Sequence, residues 1–331
     1  MSRHTMRTAA VLLLTLMLAL TSVASAAPAR RLKWTAQEVG TGLLVWTTAI
    51  SDIAKRELPK DVSIDILPYG AIVASLTLVN DGKADIGWGD VTSAWARDGV
   101  ILFDKHHPNV RAIASGFSES ILQIFVTKDF AQRTGIKSLD DIKARKLPVR
   151  IVTKPRGTLG QAAGALQLEA HGITYDDIRK WGGSIIETSV SDIVSLMKDK
   201  RADIWFDYLA EGHPSATELT QTADIVMLEN SPEARKKLEG YGFHPVLTKA
   251  GTWRGQNRDL QQLGGSTVLT CRQDLDDDVV YAIAKAIFGN ADEIRAAHAS
   301  MQVFDEKAAW KVPIPLHPAA AKFYREQGLI K

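Results

Sequence analysis

The chain has 331 residues, with 40 lysines and arginines against 38 aspartates and glutamates and a single cysteine. The near balance of charge and the lack of a basic tract exclude the electrostatic footprint of a nucleic-acid binder, and one cysteine excludes an intrachain disulfide. A chain of this length strains a single hydrophobic core, so two lobes are expected.

At the start, Arg3, His4 and Arg7 precede an uncharged run over 9–20 and a small-residue stretch over 21–27. That order reads as a secretory signal peptide, residues 1–26, cleaved after Ala26, because about a dozen apolar residues fall short of the ~20 that span a bilayer. Cleavage removes two arginines and no acid, so the mature chain carries equal numbers of basic and acidic side chains. A soluble, periplasmic protein is expected.

Beyond it, strands are predicted at 32–35, 63–67, 84–88, 111–114, 122–127, 149–152, 202–206 and 266–272, with helical stretches such as 43–57, 73–80, 159–170, 193–198 and 275–288 between most of them. Strands alternating with helices imply mostly parallel sheets covered on both faces. Within this order the chain echoes itself. Asp81-Gly82-Lys83-Ala84-Asp85-Ile86 is matched by Asp199-Lys200-Arg201-Ala202-Asp203-Ile204, and a Gly-Thr pair lies upstream of each, Gly40-Thr41 and Gly157-Thr158. Gly40 to Ala84 is 44 positions and Gly157 to Ala202 is 45. The spacing predicts one α/β unit built twice. Residues 122–127 and 266–272 read as crossings between lobes. The expected division is 27–122 plus 270–331 for one lobe and 123–269 for the other.

Each Gly-Thr turn opens a helix whose first N–H groups lack a partner within the helix, and such an end binds anions. Gly40 and Gly42 let backbone approach closely, Leu43 begins the helix, and Thr41 and Thr158 present hydroxyls. One helix dipole end contributes about 0.3–2 kcal/mol and a hydrogen bond to a charged group about 1.5–3 kcal/mol. Micromolar affinity needs about 8 kcal/mol, so two facing loops and a cation are required. Arg156, just before Gly157, is the candidate for a bidentate carboxylate contact, with a solvated surface arginine as the alternative. Trp88, Asp90, Asp207 and Tyr208 fall at the ends of the repeated strands, where open α/β sheets place their ligands. Asp90 suits a ligand amino or hydroxyl group, and Trp88 reads equally as core.

Signatures of chemistry are missing. His106-His107 beside Pro108 cannot supply facing metal ligands from one helix, the segment 116–120 lacks the final glycine of a nucleophile elbow, and Gly40-Thr41-Gly42 lacks the third glycine of a dinucleotide fingerprint. Asp274, Asp276, Asp277 and Asp278 read as the charged start of a helix, His213 and His317 as corners before proline, and Cys271 as a small core residue. No catalytic residue, metal site or cofactor is expected.

At these positions the chain resembles the TAXI subfamily of TRAP-transporter solute-binding proteins. The marks are Gly40-Thr41-Gly42, the segment 82–86 leading to Asp90, the loop 154–158, Gly212-His213-Pro214, residues 251–256, and the tail Pro313-Ile314-Pro315-Leu316-His317-Pro318 with Phe323-Tyr324-Arg325. The resemblance implies an α/β fold of two Rossmann-like lobes in the type II periplasmic-binding-protein architecture, joined by hinge strands. It further implies a monomer that closes on a small organic acid or amino acid such as glutamate, and a TRAP membrane permease driven by an ion gradient as partner. The chain departs from the family at Pro155-Arg156-Gly157-Thr158 and at the short Ile86-Gly87-Trp88-Gly89, both in the expected pocket. A ligand-sensing module and an exported enzyme are the alternative functions.

Overall fold

The computed structural model describes residues 30–37, 41–68 and 72–331. The signal peptide expected at 1–26 and Gly40 lie outside the described residues. The elements in chain order are β1 (Arg30–Thr35), α1 (Gly42–Lys55), β2 (Val62–Leu67), α2 (Ile72–Asn80), β3 (Ile86–Gly89), α3 (Thr92–Asp98), β4 (Val110–Thr127), α4 (Lys128–Thr134), α5 (Leu139–Arg145), β5 (Arg150–Thr153), α6 (Leu159–Ala170), α7 (Tyr175–Lys180), β6 (Ser184–Glu187) and α8 (Val190–Lys198). There follow β7 (Ile204–Ala210), α9 (Pro214–Thr222), β8 (Ile225–Met227), α10 (Pro232–Glu239), β9 (His244–Thr248), β10 (Leu260–Arg272), α11 (Asp277–Gly289), α12 (Ala291–Ala297) and α13 (Pro318–Glu326).

The duplication read from the sequence is present in the topology. The strand order β2-β1-β3-β10-β4-β7-β5-β6 places β2-β1-β3 at one end and β6-β5-β7 at the other. Within each triplet the ladders are parallel, and each triplet meets the central strands antiparallel, β3 on β10 and β7 on β4. The echoed hexapeptides make the same turn. Lys83 N and Ala84 N both donate to Leu78 O, as Arg201 N and Ala202 N do to Leu196 O, and the backbone is left-handed at Gly82 (φ 67°) and at Lys200 (φ 57°).

The second aspartate of each echo has a structural task. Asp85 Oδ2 accepts from Lys33 N at 2.7 Å, and Asp203 Oδ2 accepts from Arg150 N at 2.9 Å. Each carboxylate thus bonds a backbone N–H of the strand that opens its unit, Lys33 within β1 and Arg150 at the start of β5, in a β1–β3 or β5–β7 pair with few ladder bonds of its own.

β10 pairs with β3 of the first end, β4 pairs with β7 of the second, and the two long strands pair with each other between them. Residues 268–271 of β10 pair with β3 while 260–264 pair with β9; residues 120–126 of β4 pair with β7. Two strands expected from sequence, 111–114 and 122–127, are therefore one continuous 18-residue strand. Its ladder with β10 is irregular between Ser266 and Val268, where the chain passes from one end to the other.

The helices follow their sequence signals. Thr41 and Thr158 accept from Leu44 N and Gln161 N, capping α1 and α6. Leu43, Ile50, Ile53 and Ala54 form the buried stripe of α1. α6 buries small residues instead, and a side chain at Gly164 would meet Phe206 Cβ at 2.8 Å, so the glycine lets helix and sheet close up. The chain after β10 returns to the first unit: Ala112 N donates to Pro315 O, His317 N to Ala112 O, and His317 Nδ1 accepts from Ala319 N at the start of α13. His317 is thus a cap before Pro318, as its sequence position suggested. Asp276 and Asp278 pair with Arg30 at 2.8 and 2.9 Å at the start of α11. Cys271 is fully buried. Among the described residues no helix is long and apolar enough to cross a membrane.

Candidate functional site

In both units the parallel strands deliver their C-terminal ends towards the crossing of β4 and β10, because Gly89 of β3 and Ala210 of β7 pair with Val268 and Ser120 there. The loops that follow those ends carry the residues singled out in the sequence.

In the first unit, Gly42 lies with Trp46 Nε1 and His298 Nε2 each 3.6 Å from where a side chain would begin, and Leu43 is buried. Trp88 is wholly buried. Its Nε1 donates to Thr47 Oγ1 at 2.8 Å, its N donates to Ser75 Oγ at 2.9 Å, and its ring meets Trp46 and Phe117 edge-on. It therefore ties β3 to α1 from within the core. Asp90 is also buried, with Oδ1 accepting from Thr92 N at 2.8 Å and Thr92 Oγ1 at 2.6 Å, and burial pushes its carboxyl above the usual range.

In the second unit, Thr158 Oγ1 donates to Pro155 O at 2.7 Å, closing a turn in which Gly157 has φ 84°. Arg156 projects from that turn with 78% of its side chain exposed, 3.9 Å from Glu187. The structure does not bring it to the other named residues. The cation beside the strand ends is Lys154, whose Nζ lies 2.9 Å from Oδ2 of the buried Asp207. Asp207 Oδ1 accepts from Tyr208 N at 2.7 Å. Burial pushes the Asp207 carboxyl up and Lys154 pulls it back. A side chain on Gly160 would come 2.3 Å from Asp207 Oδ1, so the first turn of α6 packs directly on this ion pair.

Tyr208 links this end to the crossing strands by donating from its hydroxyl to Gly265 O at 2.7 Å. Burial raises its phenol far above the usual range, and the charges of Asp90 and Glu119 add to the effect. Asp90, Tyr208 and Glu119 therefore share one neighbourhood, to which the sequence reading contributed the first two. Lys154 was within the quoted loop 154–158, and its position directly after the apolar strand β5 is the signal that separates it from Arg156. Glu119, together with His244 and Ser266, had no sequence signal, because its three elements are far apart in the chain.

Solved structures with a similar fold include three of known class. The structure of MatC from Rhodopseudomonas palustris with bound malate superposes with a TM-score of 0.51 at 12% identity, over 92% of this chain and 100% of that one. A TctC solute-binding protein from Polaromonas gives 0.52 at 14% identity, over 91% and 98%, and PhnD1 from Prochlorococcus marinus in complex with methylphosphonate gives 0.52 at 14%, over 92% and 100%. The fold is the mixed α/β fold of type II periplasmic binding proteins. Within that class, the model of the NMT1-like family matches residues 34–328, and the chain belongs to the NMT1-like family.

Proposed function

We propose that the chain is a periplasmic solute-binding receptor, exported after cleavage at Ala26, that hands a small carboxylate-bearing solute to a membrane transporter and catalyses nothing. The supporting observation is the pair of matching units, each ending in a threonine-capped helix start, Thr41 and Thr158, joined through two long strands. Two bodies joined in this way can close on a guest. The proposed lobes are 27–122 with 270–331, and 123–269. The N–H groups behind Thr41 and Thr158 hold the carboxylate, and the exposed Arg156 swings in to complete its seat.

The resemblance at Gly40-Thr41-Gly42, Gly212-His213-Pro214 and the tail from Pro313 supports a finer reading. In it the partner is a TAXI-type TRAP permease and the solute an organic acid or amino acid, glutamate-like. The malate bound in the structure of MatC is in keeping with an organic acid.

A thermal-shift screen of organic acids and amino acids, followed by small-angle scattering, tests this reading. A ligand that binds only the folded chain raises its melting temperature, and closure reduces the radius of gyration. Stabilisation by carboxylates with a smaller radius is expected. Binding of phosphonates alone, or chemical conversion of the bound acid, would overturn the assignment.

A further inference from the structure

A cavity of about 610 Å³ lies against the crossing of β4 and β10. It is lined by Glu119 of β4, Ser266 of β10, His244 of β9 and the segment 303–313, so it touches both units as well as the strands that join them. Most of the remaining wall is apolar, with Val91, Val268, Val303 and Trp310 among its members.

The polar part of the wall is built around one carboxylate. Glu119 Oε2 accepts from Ser266 Oγ at 2.7 Å, Oε1 lies 2.9 Å from His244 Nε2, and 22% of the side chain is exposed. A side chain on Gly264 would come 2.5 Å from Glu119 Oε1, so the glycine makes room for this acid beside the strands. Oε1 is buried against His244, whereas Oε2 holds the Ser266 donor and keeps a lone pair for another. A second acid, Asp305, stands exposed at the cavity. Two cationic side chains also line the cavity: Lys311, whose Nζ lies 5.9 Å from the Trp310 ring centre, and His244, whose ring the hydrogen bond to Glu119 holds above its ordinary pKa. A guest carboxylate would face Glu119 at short range in a partly desolvated setting, which is repulsive. An ammonium would gain a charge-assisted bond there, with an indole and valines to cover an apolar body.

We propose that this cavity is a second binding site, selective for an organic amine with an apolar body and distinct from the carboxylate seat at the helix starts. The two readings are independent.

The test uses the exported chain in phosphate buffer, free of amine, with phenethylamine and benzylamine as probes and phenylacetate as the acid of similar skeleton. Thermal shift and calorimetry are expected to register the amines at millimolar concentration and not phenylacetate at this site. Glu119→Gln, which keeps the shape and the bond from Ser266, should weaken amine binding about tenfold, the ratio that corresponds to ~1.4 kcal/mol. Should that variant not fold, Trp310→Ala at the partly exposed side of the cavity should also weaken the amines. Amine binding that is absent, that is matched by phenylacetate in competition, or that survives the folded variants unchanged overturns the proposal. An organic acid that binds the wild type and Glu119→Gln alike leaves the carboxylate reading intact in every case.

Discussion

Lys154 Nζ and Asp207 Oδ2 stand 2.9 Å apart, with 21% of the lysine side chain exposed and none of the aspartate. The pair is asymmetric, since only the lysine can turn to water when its partner is removed. Lys154→Met leaves a buried carboxylate without a counter-charge and is expected to cost about 3 kcal/mol. Asp207→Asn should cost less. Urea denaturation of the two variants measures the order directly, and equal losses would show that the pair is not the reason Asp207 is tolerated there.

The echoed turns make a paired prediction. Lys200 holds a left-handed conformation at φ 57° that Gly82 holds at φ 67°. An L side chain is strained there by about 1–2 kcal/mol, partly offset by the entropy that glycine loses on folding. Lys200→Gly is therefore expected to stabilise the chain by about 0.5–1 kcal/mol and Gly82→Ala to destabilise it by about 1 kcal/mol. Opposite shifts in urea midpoint are the expected result, and shifts of the same sign would contradict the equivalence.

His213, at the loop after β7, is held at about 4 against an ordinary 6.5, by burial first and by the charge of Lys154 second. The unfolded chain takes up this proton before the folded one does. The stability associated with the neutral ring is complete above pH 6.5 and is lost as pH falls from 6.5 towards 4. His213→Gln should flatten the stability profile across that window. A profile of unchanged slope would show that other groups govern it.

Arg156 is the exposed cation of the second helix start. If it completes the carboxylate seat, Arg156→Ala weakens binding of the acid about tenfold, in keeping with a hydrogen bond to a charged group, while folding stability changes by less than ~0.5 kcal/mol. Affinity within twofold of the wild type removes Arg156 from the site and leaves Lys154 as the nearer cation.

Cys271 is fully buried, and burial pushes its thiol well above the usual range. A thiol reagent should leave it unmodified in native protein and label it fully in denaturant. Rapid labelling of the native protein would mean that β10 opens readily at its pairing with β3.

The duplication was legible because the turn Asp81–Asp85 and its echo Asp199–Asp203 are short, local and chemically constrained. Both aspartates at the ends serve the backbone, and the same bonds recur in each unit. The helix starts at Thr41 and Thr158 were legible for the same reason, although the hydroxyls assigned there to a ligand accept from the helices' own N–H groups. What escaped was non-local. The segment 116–120, set aside as a failed catalytic elbow, is instead the part of β4 where the chain passes between units, and nothing within those five residues announces a strand. The short strands β6, β8 and β9 were not foreseen, since their stability comes from pairing with β5, β4 and β10 and not from their own pattern. Trp88 and Asp90 stand at the expected positions but face inward, a distinction that strand position alone does not carry.

The pairing of β3 with β10 has a consequence for synthesis. Ile86 and Cys271, neighbours in that ladder, are separated by nearly two hundred residues of chain. The second unit lies nested between them and holds β5, β6 and β7 in one uninterrupted stretch. The half of the molecule that emerges first must wait with an unsealed strand edge until the other half has been made, so refolding should proceed from the middle of the chain outwards.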